Sequence, residues 1–356
     1  MDGDGMISKM LTFEVTNECN VRCAHCLMDC VTEGGARLSL SQIMRTVDEV
    51  VGEEGMNLFV VLSGGEPTLL GDDLLEILAS LSVRGIPTRM VSNASWASSP
   101  DEAARVIKRL REAGLTELNL SMDDFHAVWV PVQNVLNAWR ASHGVGFGSV
   151  AIAVAEGPKS RVTCESVKEL LGEEVPVAPV GDELSTAPSS DGTVYVIGRG
   201  KYSRLGRGRH LKNSIVELRA GFPNGPCDKI RAGSVITSEN RVAVCCGARP
   251  EENFVLAGQP LGDTTWSEAS ARLADDVLVR ALGRLGPAFL WHLAKERGCD
   301  SLSPKDGYNN LCELCEEVTA NRSAVRSLRA ASEEIEVALR SVERFASLAG
   351  TDSTGE

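Results

Sequence analysis

Cys19, Cys23 and Cys26 stand in one short run, Cys19-Asn20-Val21-Arg22-Cys23-Ala24-His25-Cys26. Gaps of three and then two residues are too close for a disulfide scaffold and suit three thiolates turned toward one metal centre, as in a loop that holds an iron-sulfur cluster. A cubane cluster has four corners, so three ligands leave one iron open to something that reacts. Cys30 competes with this reading, because it follows Cys26 at the spacing of a ferredoxin-type run and would close the cluster into a plain electron carrier. Against closure, a bacterial ferredoxin run has two residues in its first gap and a proline after its last cysteine, whereas here there are three residues and then Val31.

The chain must bury a core large enough to hold such a loop. It has 356 residues, 43% of them apolar, a formal net charge of -13 and eleven cysteines. One barrel with an appendage fits that length. The acidic balance argues against nucleic acid or an anionic membrane as the main partner, since both reward clustered Lys and Arg. The start, Met1-Asp2-Gly3-Asp4-Gly5, is acidic and flexible rather than a signal peptide, and no apolar run approaches the roughly 18 to 20 residues of a membrane span. The cysteines are therefore expected to be reduced and metal-bound, in a cytoplasmic protein.

The positioning elements can be read from periodicity. Leu11 to Thr16 alternates as a first strand, and Ser39 or Ser41 caps a helix with Ile43, Met44, Val47, Val50 and Val51 on one face. Leu58 to Ser63 is a continuous apolar run, typical of a strand buried on both faces. A helix stripe through Leu74, Leu78 and Leu81 follows, then a strand from Ile86 to Ser92. Ser99-Pro100-Asp101-Glu102 is a helix start, followed by a strand at Leu118 to Ser121, a helix over 131–142 and a strand over Ser149 to Val154. Strands and helices taking turns predict a parallel sheet with helices outside. Val162 to Leu171 reads as a helix, Val175 to Gly192 as an exposed connection, and Thr193 to Ile197 as the last barrel strand before a basic segment from Arg199 to Lys212. That segment could clamp a substrate carboxylate or phosphate, or lie solvated.

In the second half, Ile236-Thr237 and Val242 to Val244 flank Ser238-Glu239-Asn240 as a hairpin. Helices are expected over 267–284, 286–297 and 322–348, the last amphipathic through Leu328, Ile335 and Val342 and packed on the exterior. The expected domains are 9–215, 216–320, a terminal helix over 321–349 and a disordered tail over 350–356.

Sites in parallel sheets gather at the carboxyl ends of strands. Cys19 to Cys26, Gly64-Gly65-Glu66-Pro67, Ser92-Asn93 and Ser121 to His126 each follow a strand in this chain. CxxxCxxC followed by Gly-Gly-Glu-Pro resembles the radical S-adenosylmethionine (radical SAM) superfamily over roughly residues 9–215. The resemblance implies a partial (β/α)6 TIM-like barrel of the α/β class. It implies a 4Fe-4S cluster on Cys19, Cys23 and Cys26 that binds S-adenosylmethionine and cleaves it to a 5'-deoxyadenosyl radical. It also places Gly64, Gly65, Glu66, Pro67, Ser92, Asn93, Ser121 and Asp123 around that cofactor, with His25 packing against its adenine. His126 and Cys30 are the catalytic candidates, His126 as acid, base or packed histidine and Cys30 as a free thiol.

Cys227 and Cys245 bracket the expected hairpin, and Cys312-Glu313-Leu314-Cys315 comes much later. This set resembles the auxiliary-cluster site of a twitch/SPASM-like extension, which implies a second iron-sulfur cluster with every corner closed. Zinc is the rival occupant. Adjacent strand residues point to opposite faces, so one of Cys245 and Cys246 should face the cluster. The seven-cysteine SPASM pattern is absent, which favours one auxiliary cluster. Cys164 reads as a buried small residue.

The expected activity is hydrogen-atom abstraction with net oxidation. The substrate is expected to be a ribosomally made peptide that is crosslinked or dehydrogenated, or else a small-molecule intermediate that is oxidised or epimerised. Epimerisation would need a donor thiol such as Cys30, Cys246 or Cys299. A flavodoxin- or ferredoxin-type protein would donate the electron. The reading from another class is a non-catalytic iron-sulfur protein.

Overall fold

The computed structural model describes residues 9–54, 58–179, 187–231, 233–247, 253, 255–262 and 264–350. The chain divides into two compact units: the described residues up to Glu217 with Val235–Asn240, and Leu218–Ser234 with the described residues from Arg241 on.

The first unit alternates β1 (Lys9–Thr16), α1 (Leu40–Glu54), β2 (Leu58–Gly64), α2 (Asp72–Val83), β3 (Thr88–Ser92), α3 (Pro100–Glu112), β4 (Glu117–Ser121), α4 (Val132–Ala141), β5 (Ser149–Glu156), α5 (Cys164–Leu171), β6 (Val177–Pro179) and β7 (Val194–Lys201). The strands form one parallel sheet in the order β1-β2-β3-β4-β5-β7-β6. This is the α/β architecture with a parallel central sheet expected of the partial barrel.

Alternation along each strand separates two faces. Phe13, Leu62, Met90, Leu118, Leu120, Ile152 and Val154 are buried, as are Ile43, Val47, Leu74, Leu78 and Ile107 of the helices. Each such side chain contributes about 1.5–3 kcal/mol by leaving water. The opposite face carries Arg89, Val91, Glu117, Asn119, Ser121, Ala151, Ala153 and Ala155, all half-buried. The start of α3 follows its sequence signature, with Pro100 in the first turn and the Ser99 hydroxyl accepting the Glu102 amide at 3.3 Å.

Within the connection expected from Val175 to Gly192, Val177–Pro179 forms the short edge strand β6, while residues 180–186 lie outside the described residues. Prolines are tolerated there because an edge strand has one side without a ladder to break.

The hairpin segments appear as β8 (Gly233–Ile236), whose Val235–Ile236 lie beside β1 in the first unit, and β9 (Arg241–Ala243) in the second. In the second unit β9 pairs antiparallel with β10 (Ala257–Pro260), and six helices follow: α6 (Trp266–Asp275), α7 (Val277–Arg284), α8 (Pro287–Glu296), α9 (Leu311–Thr319), α10 (Arg322–Ala330) and α11 (Ser332–Gly350).

Two helices expected to be continuous are each split. Asp276 takes an extended conformation, and its carboxylate accepts the Leu278 amide at 2.8 Å and the Val279 amide at 3.3 Å, so it starts α7 anew. The terminal helix breaks at Ala331, where φ is -98° and ψ is 19°. There α10 packs on α8 and α9 while α11 packs on α7, so one apolar stripe serves different neighbours. The Arg297–Glu334 and Arg280–Glu336 ion pairs hold α11 in place. The tail from Thr351 lies outside the described residues. Among the described residues no helix is long and apolar enough to cross a membrane.

Candidate functional site

β1 delivers the chain into a loop closed at its base. The Asn17 amide donates to the Ala36 carbonyl at 2.9 Å, the Val31 amide to Asn17 at 3.0 Å and the Cys19 amide to Val31 at 2.8 Å. The Glu18 carboxylate accepts the Gly34 and Gly35 amides at 2.8 and 3.2 Å and pairs with Arg37. Inside this frame Cys19, Cys23 and Cys30 are buried with Val21 and Val130, and Cys26, Met28 and Phe125 pack against them.

The thiols are not equivalent. A hydrogen bond from the Cys30 thiol pulls Cys26 down to about 5 against the effect of burial, aided by the Cys30 and Met28 amides and the Arg207 charge. The same hydrogen bond, with burial, drives Cys30 far up, and burial pushes Cys19 up to about 11. Cys26 is therefore a ready thiolate, the form that binds metal.

Gly64 and Gly65 bring the end of β2 against this loop. The Gly65 amide donates to the Thr16 carbonyl at 2.6 Å and the Glu66 amide to the Glu18 carbonyl at 2.8 Å. A Cβ on Gly65 would lie 1.7 Å from the Glu18 oxygen, and one on Gly64, where φ is +119°, 2.3 Å from the Thr16 oxygen. Pro67 begins a one-turn 3-10 segment, Pro67–Leu70, with Glu66 as its cap.

The Glu66 side chain is fully buried and turned sideways along the strand ends. It accepts the Ser92 hydroxyl at 2.8 Å, the Thr68 hydroxyl at 2.6 Å and the Asn93 amide at 2.8 Å. Burial raises its pKa, and these hydrogen bonds oppose the rise. Ser92 is also filled, since its oxygen accepts the Ala94 amide at 3.1 Å and the Trp96 indole at 2.9 Å. Both residues thus act through Asn93, whose Nδ2 reaches Asn20 Oδ1 at 2.9 Å and Cys19 Sγ at 3.7 Å.

Past β4, Asp123 organises a second cluster. Its Oδ1 accepts the Phe125 and His126 amides at 2.8 and 3.0 Å, and its Oδ2 lies 2.7 Å from His126 Nδ1 and 3.2 Å from His25 Nε2. Burial works against the Asp123 anion, but the hydrogen bonds from His126 and His25 hold its carboxyl well below the carboxylate range. His126 rises to about 10: burial lowers it, and hydrogen bonds to Asp123 and Cys23 raise it more. His25 stacks on Phe125 with centroids 5.0 Å apart, and Tyr202 meets both rings edge-on. Ser121 ends β4 on the half-buried face.

In the second unit, Cys312 and Cys315 share a face at the start of α9, where Asn310 caps the Glu313 amide at 3.0 Å. The Cys227 amide is anchored on the Leu282 carbonyl at 2.9 Å, and Cys245 follows β9. These four sulfurs influence one another: burial, then neighbouring cysteines that include Cys227, push Cys245 up to about 12, Cys312 up to about 11 and Cys315 well above its ordinary value. Cys246 joins them, acting on both Cys245 and Cys312. Cys299 makes a separate contact, its sulfur 3.2 Å from the Ser301 hydroxyl.

Three residues at the first site escaped sequence reasoning: Phe125, Tyr202 and Arg207. Arg207 lay in the basic segment read as a substrate clamp or a solvated loop, yet its guanidinium meets the carbonyls of Cys23 and Cys30. Backbone acceptors leave no side-chain pattern to read. The basic segment was the one available signal.

The residues present fit an iron-sulfur cluster. The donors of the first loop are soft thiols in an apolar frame, and the buried His25 Nδ1 has no hydrogen-bond partner among the described residues, as a site built for a polar ligand leaves it. Cys23, His25 and His126 also offer ligand atoms within 4.8 Å of one another, but Asp123 already engages both rings.

The parallel β/α sheet thus carries a loop of three closely spaced cysteines at the carboxyl end of its first strand. Residues 13–151 match the model of the Radical SAM superfamily, so that segment of the chain is a radical SAM domain. It is 24% identical over 316 residues to the GTP 3',8-cyclase of Marinobacter nauticus, an alignment covering 77% of this chain and 90% of that one. It is 34% identical over 131 residues to the GTP 3',8-cyclase of Listeria monocytogenes, there covering 35% of this chain and 37% of the relative. Among solved structures, one described as "Native anSMEcpe with bound AdoMet" superposes with a TM-score of 0.50 at 15% identity, covering 91% of this chain and 99% of that one, a likeness of fold.

Proposed function

We propose that this enzyme oxidises a small molecule by hydrogen-atom abstraction, using a 4Fe-4S cluster on Cys19, Cys23 and Cys26 with S-adenosylmethionine, and a second iron-sulfur cluster on Cys227, Cys245, Cys312 and Cys315. Bound there, these groups supply a 5'-deoxyadenosyl radical and an acceptor for one electron, chemistry beyond ordinary side chains. The observation that carries the reading is the convergence of the Cys19-to-Cys26 loop, Asn93 and the Asp123–His126 pair at the carboxyl ends of β1, β3 and β4.

The chain's own residues hold and orient. Asn93 braces Cys19, Asp123 keeps the His25 and His126 rings in one orientation, and Gly64-Gly65 lets the β2 end close on the loop. Cys30, hydrogen-bonded to Cys26, acts beside the ligands rather than as a fourth one. An electron enters from a flavodoxin- or ferredoxin-type donor.

The small-molecule choice rests on two supports. Matched relatives bear the name GTP 3',8-cyclase, a small-molecule chemistry, which favours this reading over the peptide substrate first expected. The half-buried sheet face also suits a compact and weakly charged substrate. In register across β4, β5 and β7 it presents Asn119 beside Ala151 and Ser121 beside Ala153 and Gly198. On β3 and β4 its Arg89 is already paired with Glu117 at 2.5 Å.

The test is anaerobic reconstitution with iron, sulfide, dithionite and S-adenosylmethionine, followed by assay for 5'-deoxyadenosine. Deuterium passing from a labelled small molecule into 5'-deoxyadenosine supports the proposal. Iron-loaded protein that forms no 5'-deoxyadenosine favours a non-catalytic iron-sulfur protein instead. Deuterium transfer from a peptide alone restores the peptide reading.

A further inference from the structure

Arg207 reaches the cluster loop from the far end of the first unit's sequence. Its amide donates to the Cys26 carbonyl at 2.9 Å, its Nη1 to the Cys23 carbonyl at 3.0 Å and its Nη2 to the Cys30 carbonyl. Its Nε lies 3.0 Å from Asp29 Oδ1, and the side chain is only 16% exposed. The neighbouring glycines make the approach possible. A Cβ on Gly206, where φ is +53°, would lie 2.1 Å from the Leu27 oxygen, and one on Gly208 would lie 2.3 Å from the Ser203 oxygen. One planar, permanently charged group thus satisfies several acceptors of a loop that has little secondary structure of its own, a task suited to the fixed fork of arginine.

We infer that Arg207 is a positioning residue that locks the Cys23-to-Cys30 backbone and offsets the Asp29 charge beside it, so that a cluster held there is retained longer and reduced more readily. This rests on the reading of Cys19, Cys23 and Cys26 as cluster ligands. Cluster potentials depend on net charge and on hydrogen bonds around the sulfurs. Removing the guanidinium takes a positive charge from beside Asp29 and the ligand loop, which disfavours adding an electron. It also frees the Cys23 and Cys30 carbonyls, which loosens the frame around the sulfurs.

The test uses the full chain reconstituted anaerobically, with Arg207→Met, Arg207→Lys and Arg207→Met combined with Asp29→Asn. Two readouts are taken: iron release to a chelator, and the ratio of reduced to oxidised cluster by electron paramagnetic resonance at fixed solution potentials. In Arg207→Met that ratio should fall about tenfold, which for one electron is about 59 mV, and iron should be released several-fold faster. Adding Asp29→Asn should restore most of the ratio but not the release rate. Arg207→Lys should keep the ratio within about threefold, because it keeps the charge, yet still release iron faster because an ammonium cannot span both carbonyls.

Arg207→Met with the parental ratio and release rate overturns the inference. Should Arg207→Met take up no iron, Arg207→Lys decides: faster release supports the role of Arg207, and the parental rate overturns it. A parent chain that takes up no iron defeats the cluster reading and this inference together, whereas a loaded parent with indifferent variants defeats the inference alone.

Discussion

The Asn93 amide donates to Glu66 Oε2 at 2.8 Å, joining the end of β3 to the turn after β2 inside the protein. The carboxylate that follows the two glycines is thereby committed to holding the strand ends, and the polar group that reaches the Cys19 loop is the Asn93 side-chain amide. Since Glu66 Oε1 also takes the Ser92 and Thr68 hydroxyls, the carboxylate gathers three segments around one buried group.

Glu66→Ala should leave the Asn93 amide and two hydroxyls without an acceptor, at a cost of about 1–3 kcal/mol for a buried unsatisfied group. Glu66→Gln should cost less, because it keeps the side-chain volume and one oxygen that can still accept from this set of donors. Chemical denaturation of the three proteins checks the order. Equal midpoints for Glu66→Ala and the parent would falsify the bracing role.

A pH dependence follows from the same group. Burial raises the Glu66 pKa above its ordinary 4.5, so the folded state binds the proton more tightly than the unfolded state. Stability from this group is full below the unfolded value and is lost as pH rises through the folded value. Relative to Glu66→Gln, the parent should lose stability as pH is raised from 4.5 upward. Denaturation midpoints of the pair at several pH values measure the difference. A gap that moves the other way would contradict the assignment.

Gly65→Ala should be severe. Its Cβ would lie 1.7 Å from the Glu18 carbonyl oxygen and 2.3 Å from the Glu18 carbonyl carbon, and backbone cannot give way as a side chain can. The cost should reach the top of the roughly 1–3 kcal/mol range for overpacking and displace the cluster loop, lowering iron uptake. Gly52→Ala is the control, because nothing lies within 4 Å of its added carbon and it sits in α1. That change should stabilise by up to about 1 kcal/mol through helix propensity. Thermal unfolding and iron content of both variants distinguish a specific close approach from a general intolerance of alanine.

Much of the fold was legible because it is local. Ser99-Pro100-Asp101-Glu102 announces α3 through capping chemistry alone, and the alternation in Ser149 to Val154 assigns both faces of β5. The strand-end placement of Cys19, Gly64, Ser92 and Asp123 followed from that alternation. The illegible parts depend on distant partners. Asp276 resembles any helical residue until its carboxylate is seen to accept the Leu278 and Val279 amides, and the break at Ala331 exists because α10 and α11 pack on different helices. Arg207 binds carbonyls, and Glu66 reads as a ligand until Asn93 and Ser92 are seen to surround it.

Cys30→Ala separates an open cluster from a closed one. Because Cys30 hydrogen-bonds the Cys26 sulfur, its removal should leave iron content unchanged while altering the electronic spectrum of the first cluster. Cys19→Ala, Cys23→Ala and Cys26→Ala should each abolish that cluster. Iron analysis and electron paramagnetic resonance, with and without S-adenosylmethionine, give the readout. Loss of about four irons in Cys30→Ala would make Cys30 a ligand and the site closed.

The second cysteine set yields the last expectation. Cys245, Cys312 and Cys315 each sense Cys227, so removing Cys227 takes one corner from a group of sulfurs gathered in the second unit. Two cubane clusters hold about eight irons per chain, and Cys227→Ala should remove about half. Cys246 is the complication, since it acts on the same neighbours and stands next to Cys245. If it substitutes as a ligand, Cys227→Ala keeps its iron and only the combination with Cys246→Ala loses it. Zinc gives a different pattern: about four irons and one zinc in the parent, with the zinc alone lost on Cys227→Ala. Full retention of iron in the double variant, with no zinc present at any stage, removes these cysteines from any cluster.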